Sequence, residues 1–221
     1  MKLMKEELRN YRQRLERWHP PLQMRRVCQD ILDVGDADQP ELEFVNKAWA
    51  AASFVEQRRA DAVRLIPAND QSDFELQFGN RKEQWKFAPA EGLNPRCGSV
   101  TSACHFAVAE RGLQDDPVSA WIARAETAPE AMRAQCAATA ARHYSGWVRL
   151  LVYLEVQEYG IRQREIEASF PSATAPAKDA FSEVWVFWKE RAYCVWKDGR
   201  LALEFGLGPA HSERQLAYVS L

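Results

Sequence analysis

Residues 73–90 read DFELQFGNRKEQWKFAPA, from Asp73 to Ala90. Two alternating runs, Asp73 to Phe78 and Glu83 to Ala88, flank Gly79-Asn80, and a glycine-containing two-residue turn between such runs predicts a β-hairpin. The first strand then opens on a carboxylate, Asp73. The second carries an amide-x-amine pair, Gln84-Trp85-Lys86. Acid, amide and amine are expected to meet at one end of the hairpin.

Upstream, Met4, Leu8, Tyr11, Leu15 and Trp18 recur at spacings of four and three, which predicts an amphipathic helix ending before Pro20-Pro21. A short helix over roughly Gln23 to Leu32 follows, then a polar loop from Asp36 to Pro40. A longer helix begins after Pro40, with Leu42, Val45, Ala48, Trp49, Ala52 and Val55 on one face and Glu56-Gln57-Arg58-Arg59 as its last turn. Ala62 to Ile66 reads as a strand, and Pro67 to Ser72 as the loop leading into the hairpin.

Downstream, Asn94-Pro95-Arg96 and Gly98 break the chain. Three helices are then expected, over Ser99 to Arg111, Val118 to Arg124 and Pro129 to His143. Trp147 to Leu154 is nearly continuous in apolar, β-favouring residues and predicts a central strand buried on both faces. Gly160 to Ser172 looks irregular or partly helical. Glu183 to Trp196 reads as an aromatic hairpin turning at Lys189-Glu190-Arg191, and Gly206 to Leu221 as a loop leading into a short final strand or helix.

With 221 residues, 47% of them hydrophobic, the chain is long enough to bury a full core, and a single domain over 1–221 is the simplest division. Its apolar runs are too short to span a bilayer and its first residues are charged, so a cytoplasmic location without membrane attachment is expected. The five cysteines include no CxxC pair and are read as reduced thiols. Cys104-His105 with Cys97 offers metal-ligand chemistry at a spacing that matches no closed zinc site. A formal net charge of −2 removes the generic electrostatic cue for a nucleic-acid binder, so a polyanion must be met by a local patch.

The order helix, strand, hairpin, helices, buried strand resembles the αβββαβ core of the PD-(D/E)XK nuclease superfamily over about Glu41 to Leu154. On that resemblance 1–40 is a helical extension, 41–154 a restriction-endonuclease-like core and 155–221 a C-terminal hairpin and tail. The resemblance implies that Glu56 is the helix acid, Asp73 the metal-binding aspartate, and Gln84-Trp85-Lys86 the third motif, with glutamine where the family usually has an acid. Glu75, two residues beyond Asp73 and on its face, is positioned to replace that acid. It equally suits pairing with a cross-strand lysine.

The implied chemistry is Mg²⁺-dependent (or Mn²⁺-dependent) endonucleolytic hydrolysis, with DNA the expected polymer. Oxygens of Asp73, Gln84 and Glu75 would hold the cation, Glu56 would assist through water, and Lys86 would orient the attacking water and stabilise negative charge on the phosphate. Arg58, Arg59, Arg81, Lys82 and Arg96 are the candidate phosphate contacts. The resemblance leaves room for a homodimer.

Each of these residues also has an ordinary structural account. Asp73 suits a turn closure, Lys86 the solvent face of an edge strand, and Glu56 a solvated helix end. The motif also aligns as Lys86-Phe87-Ala88, which leaves both acid and lysine missing and a degenerate scaffold that would serve as a protein-interaction module. Trp185, Phe187, Trp188, Tyr193 and Trp196 suit base stacking, or a hairpin packed on both faces. The fold class expected is α+β, a mixed central sheet flanked by helices.

Overall fold

The computed structural model describes residues 3–35, 40–67, 71–91, 118–144, 146–156 and 162–205. The helix expected over Ser99 to Arg111, the Asn94-Pro95-Arg96 break, the Cys97, Cys104 and His105 cluster, and the tail from Gly206 lie outside them, as does most of the Asp36 to Pro40 loop. The fold is α+β. Its described elements are α1 (Lys5–Leu15), α2 (Pro21–Val34), α3 (Glu43–Arg58), β1 (Ala62–Leu65), β2 (Phe74–Phe78), β3 (Arg81–Glu91), α4 (Val118–Ala140), β4 (Arg149–Glu155), α5 (Gln163–Thr174), β5 (Glu183–Trp188), β6 (Arg191–Lys197) and β7 (Arg200–Phe205).

The seven strands form one sheet in chain order. β1, β2 and β3 make an antiparallel meander, β5, β6 and β7 make another, and β4 joins them by pairing parallel with β3 on one side and β5 on the other. Parallel neighbours require crossover connections, and α4 and α5 lie in the two segments that supply them. Alternation along the strands sends side chains to opposite faces, giving two cores. On one face α1, α2 and α3 bury Leu15, Met24, Ile31, Phe54 and Val55 against Phe74, Leu76, Trp85, Leu151 and Trp185. On the other, α4 and α5 bury Met132, Cys136, Ile166 and Phe170 against Ala88, Leu150, Val152, Val186 and Trp188.

The hairpin expected from residues 73–90 is present. Gly79 has a φ of +55° at the first turn position, a conformation that favours glycine, and Phe74 pairs with Trp85 and Glu75 with Gln84. Beyond Trp85, β3 has β4 on one side and no β2 residue on the other. Pro89, which has no N–H to give to a ladder, falls in that stretch.

The central strand is also present, but it starts at Arg149, and Trp147 stands 82% exposed before it. The helices expected separately over Val118 to Arg124 and from Pro129 are one continuous α4. Proline favours the first turn of a helix, which is why the sequence predicts a helix start at Pro129. Inside α4 its missing N–H instead interrupts one backbone bond, and the packing of Ala125, Ala128, Met132 and Cys136 carries the helix through. The segment expected to be irregular or partly helical carries α5 from Gln163. The aromatic hairpin is packed on both faces, Trp185 and Phe187 entering the first core and Trp188 and Tyr193 the second.

Candidate functional site

Asp73 stands immediately before β2, where its backbone N–H donates to the Trp85 carbonyl at 2.8 Å and its own carbonyl accepts from Ile66 at 2.9 Å. These bonds fix the carboxylate at the rim of the sheet, within reach of both β3 and α3. The Lys86 ammonium lies 3.0 Å from Oδ2, and the Phe87 backbone N–H donates to the same oxygen at 2.9 Å. Lys47, from α3, donates to Oδ1 at 2.7 Å. All three ionic side chains are largely covered, with 12% of Asp73, 15% of Lys86 and 23% of Lys47 exposed.

Burial pushes the Asp73 carboxyl upward. The Lys47 charge and hydrogen bond, the Phe87 N–H and the Lys86 charge together outweigh that push and hold it below the ordinary aspartate value. Tyr144, just past α4, has its ring centroid 5.7 Å from the Lys86 ammonium. Its hydroxyl is shifted upward by burial and by the Asp73 charge, against the opposing effect of Arg142.

Next to this corner, Glu75 and Gln84 face each other across β2 and β3. The Gln84 amide donates to Glu75 Oε1 at 3.3 Å, and Arg64 of β1 donates to Glu75 Oε2 at 2.7 Å. Glu75 is buried while Gln84 is exposed, so the amide lies over the carboxylate at the surface. Lys82 and Arg64 lie 5.5 Å and 4.8 Å from the Trp18 ring centroid. The face of β1, β2 and β3 opposite Phe74 and Trp85 is therefore a polar strip.

The other expected residues lie elsewhere. Glu56 is held by Arg25 of α2 and is not among the groups bonded to Asp73. Arg58 is turned onto the α3 face of the sheet, where it donates to Glu83 at 3.2 Å and lies 4.4 Å from the Trp185 ring centroid. Arg81 and Arg149 also reach Glu83, at 3.1 Å and 3.6 Å. Arg58 is thus largely covered within this ion-pair network, whereas Arg81 reaches Glu83 from the surface with its side chain 66% exposed. Arg59 is the exposed left-handed cap of α3, with a φ of 56°, and Arg96 is outside the described residues. The residue missed in the sequence is Lys47. It sits on α3 twenty-six positions from its partner, and nothing local distinguishes it from a solvated helix lysine.

Among the described residues no three His, Cys, Asp or Glu side chains converge as a ready-made metal cluster. Asp73, Glu75 and the Gln84 amide nevertheless supply hard oxygen donors at one end of the β2–β3 pair. A magnesium ion commonly takes one or two carboxylates, with water and substrate phosphate completing its shell. These donors suit that ion in kind, although Asp73 is engaged by Lys47 and Lys86, and Glu75 by Arg64 and the Gln84 amide N–H. No helix among the described residues is long and apolar enough to cross a membrane. No family model, curated protein or solved structure matches this chain.

Proposed function

We propose that the chain hydrolyses phosphodiester bonds of nucleic acid in a metal-dependent reaction, with DNA the expected polymer, at the corner formed by Asp73 and Lys86. One observation carries this reading: the Lys86 ammonium of β3 lies 3.0 Å from the carboxylate of Asp73, the residue that leads into β2. The order α3, β1, β2, β3, α4, β4, with β4 parallel to β3, is compatible with a PD-(D/E)XK-like core and lends it further support.

A bound magnesium ion supplies a lowered pKa to water and neutralises charge on the phosphate. Asp73, Glu75 and Gln84 are the residues that would hold it. Lys86, anchored on β3 beside that carboxylate, orients the attacking water and stabilises negative charge developing on the phosphate oxygens. The exposed Gln84 and Lys82 lie on the polar strip beside the largely covered Asp73–Lys86 pair, and a polymer backbone would approach along that strip.

The pairing of Asp73 with two lysines favours a second reading, in which this corner is a structural ion triad on a degenerate scaffold and the chain is a protein-interaction module. A cleavage assay separates the two. Linear, supercoiled and single-stranded DNA are incubated with Mg²⁺ or Mn²⁺ and wild-type, Asp73→Ala or Lys86→Ala protein. Cutting that requires the metal and is lost in both variants supports hydrolysis. Folded wild-type protein that cuts none of these substrates supports the interaction module.

A further inference from the structure

We infer that Lys47 is an internal counter-ion which a divalent cation must displace from Asp73, and that it thereby sets the cation affinity of the site; this rests on the metal-dependent reading above. The two oxygens of Asp73 are not equivalent. Oδ2 receives two donors rooted in β3, the Lys86 ammonium at 3.0 Å and the Phe87 N–H at 2.9 Å. The Phe87 donor is backbone, and the Lys86 backbone is fixed by pairing with Leu150 of β4. Oδ1 is met by Lys47 at 2.7 Å, from a different element and on a four-carbon stem. Lys47 is also the more exposed of the two lysines, at 23% against 15%. Both ammonium groups sit on flexible stems, but Oδ2 keeps the backbone Phe87 N–H whichever lysine moves, so Oδ1 is the oxygen left open when its lysine swings into water.

A cation bound at Oδ1 would lie close to the Lys47 ammonium, and like charges at that separation in a partly buried site repel strongly. Binding and the Lys47–Asp73 pair are thus mutually exclusive. The resemblance implies a carboxylate from the helix at this corner, and α3 delivers an ammonium. The consequence is an intrinsically weak cation site whose affinity is governed by a residue that need not touch the metal.

The test is Mn²⁺ binding by the full chain, read from the electron paramagnetic resonance signal of free Mn²⁺, for wild type, Lys47→Met, Lys47→Arg and Asp73→Asn. Circular dichroism confirms that each is folded. Lys47→Met is expected to bind Mn²⁺ roughly tenfold or more tightly than wild type, Lys47→Arg to stay near wild type, and Asp73→Asn to lose the site. Equal or weaker binding by folded Lys47→Met, with binding still dependent on Asp73, overturns the counter-ion role and leaves the metal-dependent reading standing. Absence of Asp73-dependent binding in every variant overturns both.

A second measurement needs no variant. Acetylation of wild-type protein by acetic anhydride, followed by peptide mass spectrometry, is expected to modify Lys47 several-fold faster when saturating Mn²⁺ is present, relative to Lys5. An unchanged Lys47 rate at Mn²⁺ saturation overturns the proposal.

Discussion

Arg58 lies over the Trp185 ring on the α3 side of the sheet, the guanidinium carbon 4.4 Å from the ring centroid. The same arginine donates to Glu83, a carboxylate with 2% exposure that Arg81 and Arg149 also approach. Arg149 in turn reaches Glu183 at the start of β5. The network ties α3 to the first residues of β3, β4 and β5. Removing a buried carboxylate from such a network leaves cations without a partner, so Glu83→Gln is expected to lower unfolding free energy by about 3 to 5 kcal/mol. Urea denaturation of the two proteins gives the value directly.

Asp73 makes acid stability depend on an identified ion triad. Its folded pKa lies below the unfolded one, so its contribution is fully present above the ordinary aspartate value and is lost as pH falls through the folded pKa. The melting temperature of wild type is expected to exceed that of Asp73→Asn at pH 7, and the gap to close as pH drops below about 4. Thermal melts in EDTA across that range provide the comparison; a constant gap would remove Asp73 as its source.

Gln84→Glu places a carboxylate directly opposite the buried Glu75. Without metal, like charges facing each other across strands destabilise the pair by some tenths of a kcal/mol to about 1 kcal/mol. With metal, the added anion becomes a ligand and binding stabilises the fold by mass action. The variant is expected to melt below wild type in EDTA and to gain more from millimolar Mg²⁺ than wild type does. Scanning calorimetry with and without Mg²⁺ tests both halves.

Cys28 and Cys136 are buried thiols whose pKa values are each pushed up to about 12 by desolvation. The thiolate is the reactive form, so neither is expected to react with a disulfide reagent at pH 8 while the protein is folded, and both are expected to react in denaturant. Peptide mass mapping after labelling identifies the two sites. Native labelling at either would mean that the core around α2 or α4 opens readily.

Phe54 is fully buried and meets Trp85, Trp185 and Phe187 edge to face, at centroid distances of 4.9, 5.7 and 6.1 Å. It joins α3 to β3 and β5, and thus supports the helix that carries Lys47. Phe54→Ala is expected to cost about 3 to 5 kcal/mol in unfolding free energy. Guanidinium denaturation measures the loss.

What the sequence disclosed and what it hid separate by range. The β2–β3 hairpin was legible because Gly79 and the alternation around it are local, and those same residues carry Asp73 and Lys86 to one place. The β5–β6 hairpin was legible through its aromatic residues even though its turn, Lys189-Glu190, adopts positive φ at both positions without glycine or asparagine. β7 is not among the expected strands, although Asp198-Gly199, with φ of 49° and 70°, is a strong local turn signal between it and β6. Lys47 was hidden because its role exists only once α3 has packed. Pro129 misled because the same residue begins some helices and interrupts others, and distant packing decides between them.

The placement of β4 has a consequence for how the chain assembles. β1–β2–β3 and β5–β6–β7 are each built from neighbours in sequence and can form early, whereas β4 pairs with β3 and β5 only after the long segments before and after it have closed. Until then β3 and β5 present unpaired strand edges, including Val184, Trp185, Val186 and Phe187, which are buried in the finished protein. The interval before β4 docks is therefore when the apolar strand edges of a newly made chain are open to other chains.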